Sequence, residues 1–172
     1  MYSNQIEESL TVPQIIDRIK GFPCKLVEIT GGEPTLQKGL IPLCEALNKL
    51  GYQILLETNG SILLRNIPQY VVKIIDVKTP GSEEADAWCK SNLKYLMPED
   101  ELKFVLTDHE DYEYAKSFLL CNKLEECKVL FSPVVTSLAP DVLAKWILDD
   151  GLDVRLQLQL HKIIWKNIDR GV

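Results

Sequence analysis

Glu28-Ile29-Thr30-Gly31-Gly32-Glu33-Pro34 decides how this chain is read. An apolar run, Lys25 to Ile29, breaks into Thr-Gly-Gly-Glu-Pro, and a helical pattern follows at once. Buried strands end this way where a backbone passes close to a ligand. Paired glycines permit positive φ and remove side-chain bulk, and a proline suits the first turn of the next helix. Glu33 then stands at the strand's carboxyl end, where an acid can receive an ammonium group. The glycine N–H groups beside it can hydrogen-bond a ligand. A tight βα turn with a solvated glutamate accounts for the same residues equally well, so the rest of the chain must decide.

Outward from this stretch, strands and helices alternate. Thr11 to Lys20 predicts an amphipathic helix, with Gln14 three residues after a Thr11 cap and Ile15, Ile16 and Ile19 buried. Gln37 to Leu50 predicts a second helix, with Leu40, Leu43, Cys44, Leu47 and Leu50 inward and Gly51 past its end. Tyr52 to Glu57 is a strand closed by Thr58-Asn59-Gly60. Tyr70 to Val77 is a strand too apolar for a wet face, followed by Lys78-Thr79-Pro80-Gly81-Ser82. Leu102 to Leu106, Lys128 to Phe131 and Val154 to Leu160 complete the strands. Helices over Asp111 to Leu120 and Pro140 to Leu148 separate them. Apolar strands alternating with helices predict a parallel sheet covered by helices. About six strands fit a doubly wound sheet or an incomplete barrel, and are too few for eight.

In either architecture ligands bind at the carboxyl ends of the strands. Polar residues collect there: Thr30 and Glu33, Glu57 to Asn59, Asp76 and Lys78, Thr107 and Asp108, Ser132, then Gln157, Gln159 and His161. One polar strand end means little, but six in series point to a pocket on one face.

The 172 residues predict a single domain, 1–172, with 46% hydrophobic and 26% charged residues, as in ordinary soluble proteins. A net charge of −6 argues against nucleic acid held by bulk electrostatics. No apolar stretch is long enough to span a bilayer, and residues 1–5 hold no signal-peptide core, so a cytoplasmic protein without a membrane partner is expected. Cys24, Cys44, Cys89, Cys121 and Cys127 are scattered and form no C-x-x-C pair, which predicts reduced, structural thiols and no metal site.

Ile29-Thr30-Gly31-Gly32-Glu33-Pro34 resembles the GGEP segment of radical S-adenosylmethionine enzymes. Glu57-Thr58-Asn59-Gly60, Asp76 to Ser82, Leu102-Lys103-Phe104-Val105 and the ending Val154 to Trp165, with its RLQLQLHK-x-x-W pattern, extend the match. Together they resemble the 7-carboxy-7-deazaguanine synthase family, from about Thr11 to the C-terminus. GGEP is shared by many radical enzymes, whereas the ETNG turn with the C-terminal pattern is far more specific. The resemblance implies a partial parallel β/α barrel of the radical S-adenosylmethionine type. Its activity is lyase-type: a cofactor-derived radical contracts the ring of 6-carboxy-5,6,7,8-tetrahydropterin, with no catalytic acid or base from the protein. That step belongs to queuosine and 7-deazapurine biosynthesis. S-adenosylmethionine, a [4Fe–4S] cluster and Mg2+ are the family's cofactors, and a homodimer and an electron donor such as flavodoxin are its partners.

Carried over residue by residue, the resemblance assigns Gly31, Gly32, Glu33, Asp76, Lys78, Ser132 and Pro133 to S-adenosylmethionine. It assigns Thr30, Glu57, Asn59, Gln159, His161 and the Val172 carboxylate to the pterin. Asp76 would accept the ribose hydroxyls and Lys78 would meet a carboxylate. One departure stands out. The family holds its cluster through C-x-x-x-C-x-x-C or a close variant on the loop after its first strand, yet no cysteine precedes Cys24. The family's first strand, cluster loop and magnesium-binding threonine are therefore expected to be missing, as in an N-terminally truncated and inactive member. The competing readings are a non-catalytic nucleoside- or pterin-binding relative and another radical enzyme such as a glycyl-radical activase. The QLQLH ending weighs against the second.

Overall fold

The computed structural model describes residues 8–82, 88–122, 124 and 127–165. Six strands, β1 (Leu26–Ile29), β2 (Gln53–Thr58), β3 (Val71–Val77), β4 (Glu101–Leu106), β5 (Lys128–Pro133) and β6 (Arg155–Leu156), follow one another in the sheet in chain order. The β1–β2, β2–β3 and β5–β6 pairings are parallel. Helices α1 (Val12–Ile19), α2 (Leu40–Lys49), α3 (His109–Asn122), α4 (Pro140–Asp150) and α5 (Leu160–Ile164) intervene or follow. This is the expected α/β class with a partial parallel barrel order. The backbone groups into two units, residues 1–76 with 87–101, and residues 77–86 with 102–172.

In the first unit the Thr11 N–H donates to Gln14 Oε1 at 2.8 Å, as the cap pattern requires. Ile16 is buried and packs with Leu40, Cys44 and Leu47 of α2 against Tyr52, Ile54, Leu56 and Val71. Helix α2 starts at Leu40, later than expected, because Pro34–Leu36 forms a separate 3-10 turn and Gly39 caps the helix. Register pairs Ile29 with Leu56 and Thr58 with Ile75, so β2 runs two residues past the end of β1 and β3 two past the end of β2. Along β3 burial alternates strictly, with Val71, Lys73, Ile75 and Val77 on the covered face and Asp76 on the other. Lys73 was not expected there. Its ammonium lies 2.7 Å from Asp100 Oδ2, and the two side chains are 3% and 1% exposed.

In the second unit Phe104 stacks edge-to-face on Phe118 and Phe131, with Tyr112 beside Phe131. The Tyr112 hydroxyl, carried inward by a helix that begins two residues earlier than expected, donates to Asp150 at 2.6 Å. Gly151, at φ 60°, ends α4 in the left-handed region. The last strand corrects an expectation. A strand over Val154–Leu160 would set Gln157, Gln159 and His161 in one row, but β6 spans only Arg155–Leu156 and His161 lies in α5. The reason is Pro133. The Gln157 N–H still reaches Phe131 O at 2.9 Å, but Pro133 offers no N–H to carry the ladder on. Trp165, beyond α5, is 44% exposed. Among the described residues no helix is long and apolar enough to cross a membrane.

Candidate functional site

The loop after β1 takes the conformation that only glycine adopts easily. Gly31 and Gly32 have φ of 95° and 56°, and a Cβ on either would meet nothing within 4 Å. Backbone demand explains these glycines, and the space where their side chains would stand is open. Thr30 and Glu57 are brought together, with the Thr30 hydroxyl donating to Glu57 Oε2 at 3.0 Å.

Glu33 is tied to its own protein. Its Oε1 accepts the Thr35 N–H at 3.0 Å, the Thr35 hydroxyl, and the Thr58 hydroxyl at 2.7 Å. Its Oε2 accepts the Asn59 N–H at 2.8 Å. The carboxylate therefore couples the glycine loop to the end of β2. The turn that follows is capped by its own side chains: Thr58 Oγ1 accepts the Gly60 N–H and Asn59 Oδ1 accepts the Ser61 N–H.

A second layer, missed in the sequence, holds this turn. Buried Asn92 donates to Gly60 O at 2.8 Å and Ile62 O at 3.0 Å, and accepts the Leu64 N–H at 2.9 Å. The Trp88 ring lies flush on Gly60 (φ 67°), where an added Cβ would sit 2.3 Å from a ring carbon. Gly60→Ala is expected to cost about 2–4 kcal/mol from overpacking and left-handed strain. A urea denaturation midpoint unmoved by this substitution would contradict the packing.

In the second unit the loop after β3 is held from below. Thr79 is buried and its hydroxyl donates to Val105 O at 3.2 Å. Gly81 N–H donates to Asp111 Oδ1 at 2.8 Å, and Thr107 gives Asp111 Oδ2 its N–H at 2.9 Å and its hydroxyl at 2.6 Å. Burial opposes charge on Asp111, but the Thr107 and Gly81 donors outweigh it and hold the carboxyl below the usual range. The stabilisation this gives is present at neutral pH and is lost as pH falls through the lowered value. Asp108 Oδ1 accepts the Asp111 N–H at 3.0 Å. The polar end of β4 is thus spent on structure.

Ser132 and Pro133, at the end of β5, are buried. Ser132 Oγ and Gln159 Oε1 are buried without a hydrogen-bond partner among the described residues. Native proteins rarely leave such atoms unmatched, and a ligand is one way to match them. Asp76 and Lys78 are half-buried on either side of Val77. The His161 side chain and Val172 lie outside the described residues.

The described residues hold no group of three His, Cys, Asp or Glu side chains fit for a metal. The five cysteines are free, and burial pushes the Cys44 thiol up to about 11, away from the thiolate a metal needs. The described residues thus bring no three cysteines together as ligands for a [4Fe–4S] cluster.

No family model matches the chain. Its fold is similar to SuiB of Streptococcus suis. The TM-score is 0.64 at 14% identity for SuiB bound to precursor peptide SuiA, covering 100% of this chain and 48% of that one. It is 0.61 at 15% identity for SuiB bound to S-adenosylmethionine, covering 91% and 45%. The chain thus spans about half the length of SuiB. Strand order and this likeness give the chain the fold of a partial parallel barrel.

Sequence relatives are more specific. The 7-carboxy-7-deazaguanine synthase of Koribacter versatilis is 47% identical over 165 residues, 87% of this chain and 73% of that protein. Those of Chlorobaculum tepidum and Clostridium acetobutylicum are 38% and 34% identical, over 99% and 95% of this chain and 80% and 76% of theirs. The chain belongs to the 7-carboxy-7-deazaguanine synthase family, as the GGEP, ETNG and C-terminal patterns led us to expect.

Proposed function

We propose that the strand ends of this chain bind S-adenosylmethionine and 6-carboxy-5,6,7,8-tetrahydropterin for the radical ring contraction that yields 7-carboxy-7-deazaguanine. The observation that carries this reading is the pair of buried polar atoms, Ser132 Oγ and Gln159 Oε1, with no partner among the described residues. Bound S-adenosylmethionine supplies the radical in this family, so the chain's own residues have to bind, orient and exclude water. The Gly31 and Gly32 peptide groups, exposed and without side chains, suit a methionyl amine and carboxylate. Glu33 fixes that backbone and adds its negative charge for the amine. The resemblance gives the ribose to Asp76, a carboxylate to Lys78 and further cofactor contacts to Ser132 and Pro133. Thr30 and Glu57, already hydrogen-bonded together, turn to the pterin with Asn59, Gln159, His161 and Val172.

The ligands of the cluster and of Mg2+ belong, in this reading, to family segments that this sequence does not contain, and the isolated chain makes no product. The family's homodimer, cytoplasmic setting and flavodoxin-type electron donor complete the proposal. Calorimetry tests it: the chain should take up S-adenosylmethionine and the carboxypterin separately. Ser132→Ala should weaken the cofactor by about fivefold, the worth of one hydrogen bond, and leave the pterin unchanged. Failure of the parent chain to bind either ligand overturns the reading.

A further inference from the structure

We propose that Asp111 is a positioning residue for S-adenosylmethionine, acting through the Lys78–Ser82 loop. The inference rests on the assignment of Lys78 to the cofactor. Asp111 is 1% exposed and sits in the first turn of α3, so it cannot touch a ligand in a strand-end pocket directly. Its carboxylate is nonetheless filled by three donors that all belong to strand-end loops, one from Gly81 and two from Thr107. The two Thr107 bonds also close the start of α3, whereas the Gly81 bond ties the Lys78–Ser82 loop to the helix.

The loop is also shaped to admit the carboxylate. A Cβ on Gly81 would lie 2.7 Å from both Asp111 Oδ2 and Thr107 Oγ1. Thr79 is pinned by its hydroxyl on Val105 O, and Ser82 Oγ closes the turn on Thr79 O at 2.6 Å. Lys78 is therefore set between two fully buried neighbours, Val77 and Thr79, with the loop beyond it locked to a helix. A lysine on a free loop spreads over many rotamers and backbone states. One held at its base keeps its ammonium within a narrow range, which lowers the ordering cost of binding. Sequence gives no hint of this, because Asp111 lies 30 residues from Gly81.

The test compares Asp111→Asn and Gly81→Ala with Asp100→Asn, a second buried carboxylate that touches no strand-end loop. Calorimetry with S-adenosylmethionine and with the carboxypterin is paired with amide hydrogen exchange over residues 77–82. Asp111→Asn keeps one acceptor oxygen and should speed Gly81 exchange. It should weaken S-adenosylmethionine at least tenfold and change pterin affinity less than twofold. Gly81→Ala should do the same from the loop side, which keeps the proposal open to test if Asp111→Asn does not fold. Asp100→Asn should lower the melting temperature with cofactor affinity within twofold of the parent. Faster loop exchange with unaltered cofactor affinity overturns the role of Asp111 alone. A parent chain that takes up no S-adenosylmethionine overturns the reading of Lys78 beneath it.

Discussion

Asp100→Ala is expected to lower the unfolding free energy by about 3–5 kcal/mol, the largest stability loss of any substitution considered, because it leaves a buried ammonium unpaired. Lys73 and Asp100 are 3% and 1% exposed with 2.7 Å between their charged atoms. The Asp100 carboxylate also accepts the Lys73 N–H and the Met97 N–H, both at 2.8 Å. Its removal therefore strands one charge and two backbone donors in a dry place. The pair itself is worth less than its loss suggests, since burying two charges costs most of what their attraction returns. Lys73→Met with Asp100→Asn removes both charges, fills the space of the lysine stem and keeps an acceptor for one of the two backbone donors, while the Asn NH2 faces the other. That double variant should recover part of the deficit and stay about 1–3 kcal/mol below the parent, the cost of the donor left unmatched. Urea denaturation of the parent, Asp100→Ala and the double variant measures both figures. A loss below about 1 kcal/mol for Asp100→Ala, the range of an exposed pair, would mean that the pair is solvated.

The contrast between Lys73 and Asp76 shows what the sequence discloses. Period-two alternation and apolar runs mark where strands run and which residues share a face, because a one-residue slip would bury every polar group. Thr30 and Glu57 were each placed at a strand end, and the structure brings the two into a hydrogen bond. Lys73 breaks the alternation, and its reason is a partner 27 residues on, which no local pattern reveals. The same holds for Trp88 and Asn92 beneath Gly60, and for Asp111 beneath Gly81. Each is a residue of unremarkable type whose partner is distant in sequence. The shortened β6 failed for the opposite reason. Arg155-Leu156-Gln157-Leu158-Gln159-Leu160 alternates as a strand should, but a strand needs a neighbour able to bond, and Pro133 withholds the N–H.

Glu33→Gln is the substitution with the largest expected effect on ligand binding, although it is isosteric. Glu33 Oε1 takes the Thr35 N–H together with the Thr35 and Thr58 hydroxyls, and Oε2 takes the Asn59 N–H. An amide cannot serve this set. With its carbonyl at the Oε1 position its NH2 faces the Asn59 N–H, and turned over it faces three donors. Either way a donor meets a donor in a half-buried place, which costs about 1–3 kcal/mol of stability. The glycine loop and the β2 end would then part, and S-adenosylmethionine affinity should fall by at least thirtyfold. Thr58→Val separates the two duties of the carboxylate. It removes one bracing donor, leaves the charge of Glu33 in place, and should weaken S-adenosylmethionine three- to tenfold if bracing matters. Were charge on the amine the whole contribution, Glu33→Gln would lose cofactor affinity with its urea midpoint unchanged, and Thr58→Val would lose neither. Calorimetry and denaturation of these two variants therefore distinguish a glutamate that only receives a ligand from one that builds the floor on which the ligand rests.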